Sequence, residues 1–178
     1  MRKILGLLVF MLGMLSVRAA SLDSVRISLL TCEPGSEIYA FFGHSAIRYE
    51  NPAKQEDWVF NYGMFSFKDP NFVMRYVKGE TDYQLGVVPF RYFEAEYGMR
   101  GSSVYQQELN LTNAEKEKLA GLLFENYLPA NRVYRYNYFY DNCTTRARDK
   151  IEESIEGVVV YPENENSVSY RDILHEFT

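Results

Sequence analysis

The sequence predicts an α+β fold, in which helices pack against an antiparallel sheet. Several segments alternate apolar and polar side chains with the period of two that strands require. Between them lie segments with helix start signals and with apolar residues at helical spacing. The chain has 178 residues, of which 47% are hydrophobic, and this suffices for one substantial core but not for two. We therefore expect a single domain over residues 21–178.

The first twenty residues have the composition of a secretory signal peptide. Arg2 and Lys3 precede an apolar stretch at 4–17, and small residues that suit cleavage follow it. The stretch is too short and wrongly flanked for a good transmembrane helix, although an uncleaved anchor is the alternative. Removing residues 1–20 takes away three positive charges and no acidic residue, so the net charge of −5 becomes −8. The sequence thus predicts a periplasmic location and gives no basic surface for nucleic acid.

Turn signals separate three predicted strands in the first third of the chain. Residues 25–31 are largely apolar and end before a Glu-Pro-Gly turn. Residues 45–50 alternate in polarity and end at an Asn-Pro pair, and residues 58–63 follow after a polar loop. Because a polar loop joins these two successive strands, we expect residues 44–62 to form an antiparallel hairpin.

A helix, a strand and a short helical segment follow the hairpin. Asp69 is a favourable helix cap with proline in the next position, and Gly79 is a favourable helix end. We therefore predict a helix between these two residues. Residues 82–90 have the composition of a strand. Residues 91–101 are predicted as a short helix or turn that ends at one of their two glycines.

The second half of the chain is predicted to contain two more strands and three helices. Thr112 and Glu115 form a capping box, from which a helix extends to about Tyr127, before Pro129. Tyrosines at alternate positions from 134 to 140 would share one strand face, either in a core or on a binding surface. The other predicted elements are strands at 102–111 and 132–140 and helices at 142–155 and 169–177.

Cys143 lies where a cysteine is chemically reactive. Asn142 can cap the predicted helix and so places Cys143 on its first turn, where unpaired N–H groups and the helix dipole favour a thiolate. The same N–H groups can hold an oxyanion during acyl transfer, with Thr144 as a further support. Arg146, one turn on, could support the thiolate or a substrate anion, or form a surface ion pair instead. We therefore predict that Cys143 is a nucleophile.

A cysteine nucleophile needs a base, and the sequence has two histidines. His44 follows a glycine at the start of a predicted strand, where another segment can approach closely, whereas His175 lies in a terminal helix. Asn61, on the second strand of the hairpin, can accept a hydrogen bond from the imidazole and orient it, and Asp57 is the second candidate. Tyr62 is a further supporting candidate. The structural alternatives are that His44 is a core histidine and that Asn61 only forms a turn.

Other kinds of site have weaker support. The histidines and cysteines lie far apart and in no metal-ligand spacing, so we expect no metal and no cofactor. The sequence has no G-x-S-x-G elbow of a serine hydrolase. In an oxidising compartment, Cys32 and Cys143 could instead form a disulfide. This alternative would remove the nucleophile and predicts a disulfide-linked binding module.

Three segments together resemble one bacterial family. LLTCEPGSEIYAFFGHSAIRY, VFNYGMFSF and YNYFYDNCTTRARD are similar to the periplasmic domain of the Lnb-type lipoprotein transacylases, over nearly all of residues 25–155. The resemblance implies a circularly permuted, NlpC-like variant of the papain fold, in which the histidine precedes the cysteine. It implies that Cys143 is the nucleophile and His44 the base. It also implies that the partner is an acyl substrate, a lipoprotein or a phospholipid.

The leading prediction is therefore an extracytoplasmic cysteine acyltransferase. Its thiolate would take an acyl chain from a diacylglyceryl lipoprotein as a thioester and pass it to an amine. The second prediction is a hydrolase with the same site, either a cell-wall amidase or peptidase or a lipid hydrolase. The third is the disulfide-linked binding module. Because members of this family commonly carry hydrophobic C-terminal segments and this sequence has none, we expect inner-membrane proximity only through a missing C-terminal region.

Overall fold

The structure is a computed structural model, and it describes residues 22–36, 40–65, 71–163 and 168–175. The strands in these ranges are β1 (Arg26–Cys32), β2 (His44–Asn51), β3 (Glu56–Met64), β4 (Asp82–Pro89), β5 (Val104–Glu108) and β6 (Val133–Arg135). The α-helices are α1 (Phe72–Val77), α2 (Phe90–Met99), α3 (Asn113–Tyr127), α4 (Cys143–Ser154) and α5 (Tyr170–His175). This arrangement confirms the predicted α+β class.

The strands of the described residues form one antiparallel sheet in the order β5-β1-β2-β3-β4-β6. The predicted hairpin forms its centre, where β2 pairs with β3. A 3₁₀ turn at Pro52–Lys54 joins these two strands, and the side chain of Asn51 caps it. On the other side of the hairpin, β1 pairs with β2 so that Cys32 lies opposite His44. The register therefore places His44 at the end of a central strand.

Helices cover both faces of the sheet, because apolar residues project from each side of the strands. The first face carries α3 and α4, and its core includes Phe60 and Leu119. The second face carries α2, and its core includes Val59 and Phe93. Since Val59 and Phe60 are neighbours on β3, their side chains point to opposite faces. By the same alternation, Asn61 shares the α2 face with Val59.

The helix signals in the sequence are largely confirmed. At the start of α3, the Thr112 side chain accepts the Glu115 N–H and the Glu115 side chain accepts the Thr112 N–H, as the capping box requires. The segment predicted as a short helix or turn at 91–101 is the helix α2. The chain leaves it through Gly101, whose φ of 70° favours glycine. Helix α5 lies within the predicted range 169–177.

The strand predicted at 132–140 is shorter than expected. It ends at Arg135, and the chain turns immediately afterwards. Asn137 drives this turn, since its side-chain oxygen accepts the backbone N–H groups of Phe139 and Tyr140 at 3.0 Å each. The prediction of four tyrosines on one strand face was therefore wrong, because a local side-chain hydrogen bond competes with the strand.

Several other predictions are confirmed only in part or fall outside the described residues. The predicted signal peptide, residues 1–20, and the predicted helix cap at Asp69 fall outside the described residues. Helix α1 is described from Phe72 onward. The strand predicted at 102–111 is confirmed only over β5. In the part of the chain that the structure describes, no helix has the length and apolar character needed to cross a membrane.

Candidate active site

The three predicted catalytic residues, Cys143, His44 and Asn61, line one cavity of about 560 Å³. This volume lies within the usual range of small-molecule sites. The N-terminus of α4 supplies Cys143, the first residue of β2 is His44, and β3 supplies Asn61. The fold thus brings together residues from three elements that are distant in the sequence.

Asn142 caps α4 and thereby places Cys143 as the first residue of the helix. Its Oδ1 accepts the N–H groups of Thr144 at 2.9 Å and Thr145 at 3.0 Å. Its Nδ2 donates to the carbonyl oxygen of Tyr138 at 2.8 Å. Because all of its side-chain polar atoms are engaged within the protein, Asn142 acts as a helix cap. This is the capping role that the sequence predicts for Asn142.

Replacing Asn142 with alanine is expected to lower the free energy of unfolding by about 1 kcal/mol, because two N–H groups lose their acceptor. Asn142→Asp keeps an acceptor oxygen and should retain most of this stability. Urea unfolding measures both changes, and Thr112→Ala at the start of α3 is a matched cap control. Unchanged stability of Asn142→Ala together with lost activity would contradict the capping role.

The amide oxygen of Asn61 orients the His44 ring. Nε2 of His44 lies 2.8 Å from Oδ1 of Asn61. Because an amide oxygen can only accept, Nε2 carries the proton. Nδ1 is then the ring atom left for the hydrogen bond with Cys143. Asp57, the second candidate for this role, is instead held by Arg48 through two hydrogen bonds of 2.8 Å.

The Cys143 thiol ionises near neutral pH. Burial favours the neutral thiol, but the hydrogen bond and charge of His44, the N–H of Ser45 and the hydroxyl of Thr144 lower its pKa to about 7. Burial also disfavours charge on His44, but the hydrogen bond and charge of Cys143, with the bond to Asn61, raise its pKa. Since each partner shifts the pKa of the other, Cys143 and His44 titrate as a coupled pair, and their mutual effect favours the thiolate beside the imidazolium.

Ser45 is a candidate site residue that the sequence analysis missed. Its backbone N–H forms a hydrogen bond with the sulfur of Cys143. Its Oγ lies 3.0 Å from Oγ1 of Thr144, which in turn lies 3.9 Å from Sγ of Cys143. Ser45 thus links the strand that carries His44 to the helix that carries Cys143. Its position next to His44 was the one signal in the sequence that could have indicated it.

Two predicted supporting residues do not line the cavity. Tyr62 is fully buried, because its side chain points to the α3 face, where its hydroxyl donates to Oδ1 of Asn126 at 3.0 Å. Arg146 forms two hydrogen bonds with Asp141, at 2.6 and 2.8 Å, and its guanidinium stands 3.8 Å over the Tyr134 ring. These contacts give both residues a role in packing the helices against the sheet.

The disulfide considered from the sequence is absent from the structure, where Cys32 and Cys143 are both free. Burial raises the pKa of the Cys32 thiol to about 12, although the hydrogen bond with Tyr97 opposes this effect. Cys32 is therefore an unreactive core residue. His175, at the end of α5, does not line the cavity. The described residues contain no group of three or more His, Cys, Asp or Glu side chains that could hold a metal ion.

The cavity wall combines two chemical surfaces. One is aromatic: Tyr83 stacks on Tyr136 with ring centroids 4.2 Å apart, and on Phe65 with centroids 4.9 Å apart. The other is polar and includes Glu96 and Arg100, which form an ion pair. Such a wall matches an amphiphilic molecule, with an apolar part against the rings and a polar part against the charged side chains.

A family model matches most of the chain. The Lnb N-terminal periplasmic domain matches residues 16–175. The match includes the three segments whose resemblance to this family is visible in the sequence, and the description of the domain implies an extracytoplasmic location. No curated protein and no solved structure matches the chain significantly.

Proposed function

We propose a function for this chain on the basis of its family, since the chain belongs to the family of the Lnb N-terminal periplasmic domain. The proposed function is that of an extracytoplasmic cysteine acyltransferase. The donor is an acyl ester of a diacylglyceryl lipoprotein or a phospholipid, and the acceptor is an amine. The observation that carries the proposal is that Cys143, His44 and Asn61 line one cavity, with Nε2 of His44 2.8 Å from Oδ1 of Asn61 and with His44 lowering the pKa of Cys143.

In the first half of the reaction, the Cys143 thiolate attacks the carbonyl carbon of the acyl ester. The ester C–O bond then breaks, and the His44 imidazolium gives its proton to the leaving alcohol. The products of this step are an acyl thioester on Cys143, a free alcohol and a neutral imidazole. Asn61 keeps the ring in one orientation throughout, because Nε2–H remains bonded to its amide oxygen.

In the second half, a neutral amine attacks the thioester carbonyl. His44 accepts the proton that the amine nitrogen loses, and the C–S bond breaks. The reaction forms an amide and restores the Cys143 thiolate and the His44 imidazolium. Water in place of the amine would give a carboxylic acid, so the choice of acceptor alone separates a transferase from a hydrolase.

We also propose the circularly permuted, NlpC-like variant of the papain fold and proximity to the inner membrane. The fold is supported by the chain order, in which the strand of His44 precedes the helix of Cys143. Membrane proximity is supported by the proposed substrate, since a diacylglyceryl chain resides in a bilayer. The stacked rings of Phe65, Tyr83 and Tyr136 support an apolar chain in the cavity.

The second candidate is a cell-wall amidase or peptidase with the same Cys143 and His44. The observation that favours it is the polar part of the wall, where Glu33, Glu96 and Arg100 can bind a charged peptide. This hydrolase would cleave peptidoglycan fragments and would not transfer the acyl group to an amine.

Intact-mass spectrometry after acid quenching tests the acyltransferase. The protein is mixed with a diacylglyceryl lipopeptide in detergent micelles, and a matched sample receives a peptidoglycan fragment. We expect one added acyl chain on Cys143, removed by hydroxylamine, and an amide product once a lipopeptide with a free amine is added. Cleavage of the peptidoglycan fragment without any acyl adduct would contradict the proposal and favour the hydrolase.

A further inference from the structure

Gly63 faces the His44 ring across the central hairpin. A methyl group added at Gly63 would lie 2.6 Å from Cε1 and 3.2 Å from Nε2 of His44. Real Cβ atoms essentially never approach other heavy atoms as closely as 2.6 Å, so any other residue would displace the ring or the strand. The space that the imidazole occupies therefore exists because residue 63 is a glycine.

The backbone of Gly63 also controls the amide of Asn61. The Gly63 N–H donates to Oδ1 of Asn61 at 2.8 Å, and the same oxygen lies 2.8 Å from Nε2 of His44. An amide can present either its oxygen or its NH₂ group to a neighbour, but only the oxygen can accept the Gly63 N–H. The hydrogen bond therefore fixes which end of the amide faces the ring.

The local strand geometry makes this bond possible. The pairing of β3 with β4 shifts register between Asn61 and Met64. In a regular strand, an asparagine side chain does not bond to the N–H two residues later. An irregularity of this kind re-aims a side chain, and such features are frequent beside active sites.

We propose that Gly63 is a positioning residue for the reaction, acting on His44 both through Asn61 and through the space it leaves open. Its N–H presents the oxygen of Asn61 to the ring, which makes Nε2 the protonated nitrogen. Its missing side chain lets the ring lie against the strand, with Nδ1 directed to Cys143. This inference rests on the proposed role of the Cys143–His44 pair. It adds that the backbone N–H of Gly63, two residues after Asn61, sets the tautomer of the His44 ring.

The chain has only two histidines, so each ring can be followed individually by ¹⁵N NMR. The protein is labelled at the histidine ring nitrogens in a Cys143→Ala background near pH 8, and His175→Gln assigns the signals. We expect the His44 ring to be fixed with Nε2 protonated and with a protected Nε2 proton. In Gly63→Ala, we expect the two tautomers to average and this protection to be lost.

Gly86→Ala is the matched control. Gly86 lies on the neighbouring strand β4, and a methyl group there would approach Cγ of Met64 at the same 2.6 Å. Because the Met64 side chain is flexible, we expect the His44 signals to stay unchanged. A fixed His44 tautomer in folded Gly63→Ala, or equal changes in both variants, would overturn the proposal.

A second measurement applies if Gly63→Ala does not fold. The Gly63 amide proton should exchange slowly with solvent in the parent protein and much faster in Asn61→Ala. Asn61→Asp, which keeps an acceptor oxygen, should retain the slow exchange. Equal exchange of the Gly63 amide in the parent and in Asn61→Ala would contradict the proposed bond.

These readouts separate the inference from the proposed function. A fixed Nε2–H tautomer in a protein that never forms a thioester would contradict the acyltransferase and leave the role of Gly63 on the ring intact. Thioester formation by a protein whose His44 tautomers average would contradict the positioning role alone. With Cys143 present, Gly63→Ala should also shift the midpoint of thiol alkylation from about pH 7 upward, towards that of a free cysteine.

Discussion

Replacing Cys143 with alanine is expected to lower acyl transfer by at least about 10⁴-fold, because the nucleophile and the thioester are both lost. No acyl adduct should then appear by intact mass. The free energy of unfolding should change by less than about 1 kcal/mol, because the Cys143 side chain is only partly buried and lines the cavity. Turnover of a lipopeptide and urea unfolding measure the two effects.

Cys32→Ala is the matched control, since it removes the other cysteine of the chain. Cys32 is only 2% exposed and packs on the α2 face, so its loss should cost stability, on the order of 1–2 kcal/mol. The acyl adduct should still form. Equal destabilisation by both substitutions, with adduct formation unaffected in both, would contradict the assignment of Cys143 as nucleophile.

Replacing His44 with alanine is expected to lower turnover by about 10²- to 10⁴-fold, because the reaction loses its acid and base. The pH dependence should change as well. In the parent protein the thiolate forms as the pH rises through about 7, since His44 stabilises the charged sulfur. Without His44 the pKa of the Cys143 thiol should rise at least to the ordinary value of about 8.5. The fraction of Cys143 present as thiolate at pH 6 should then be about 30-fold lower.

His175→Ala is the control for this experiment. His175 is exposed at the end of α5, so its removal should leave both the turnover and the pH profile unchanged. If His44→Ala kept the parent pH profile, the low pKa of Cys143 would have another source, such as the helix N-terminus alone.

The sequence predicted which residues meet at the cavity better than it predicted the structure around them. Cys143 and His44 could be selected because the chain has only two cysteines and two histidines, and Asn61 because the predicted hairpin brings it near His44. The structure brings these three residues together, and their catalytic role stays a prediction. The hairpin was predictable as well, because polarity alternates on both sides of a polar loop.

Tyr62 and Arg146 lie outside the cavity for two different physical reasons. Tyr62 follows Asn61 directly, and neighbouring strand residues point to opposite faces, so the Tyr62 side chain packs against α3 instead. Arg146 was a candidate for substrate binding until the structure supplied Asp141 and Tyr134 as its partners. Asp141 follows the turn after β6, and this turn depends on hydrogen bonds to Asn137 that polarity patterns do not encode.

Ser45 and Gly63 were missed for a different reason. Both act through the backbone: Ser45 donates its N–H to the sulfur, and Gly63 donates its N–H to Asn61. The sequence specifies which side chains are present but not the direction of a backbone N–H, which is known only once the positions of the strands are known. The sequence could show a glycine near the site but not which atoms approach it.

The most direct test of the Cys143–His44 pair is the rate of thiol alkylation against pH in the native protein, with the modified site read by mass spectrometry. We expect selective labelling of Cys143 with a midpoint near pH 7, moved upward by His44→Ala, while the buried Cys32 stays unlabelled. A midpoint near that of a free cysteine, or no labelling of Cys143 until a reductant is added, would contradict the pairing of Cys143 with His44.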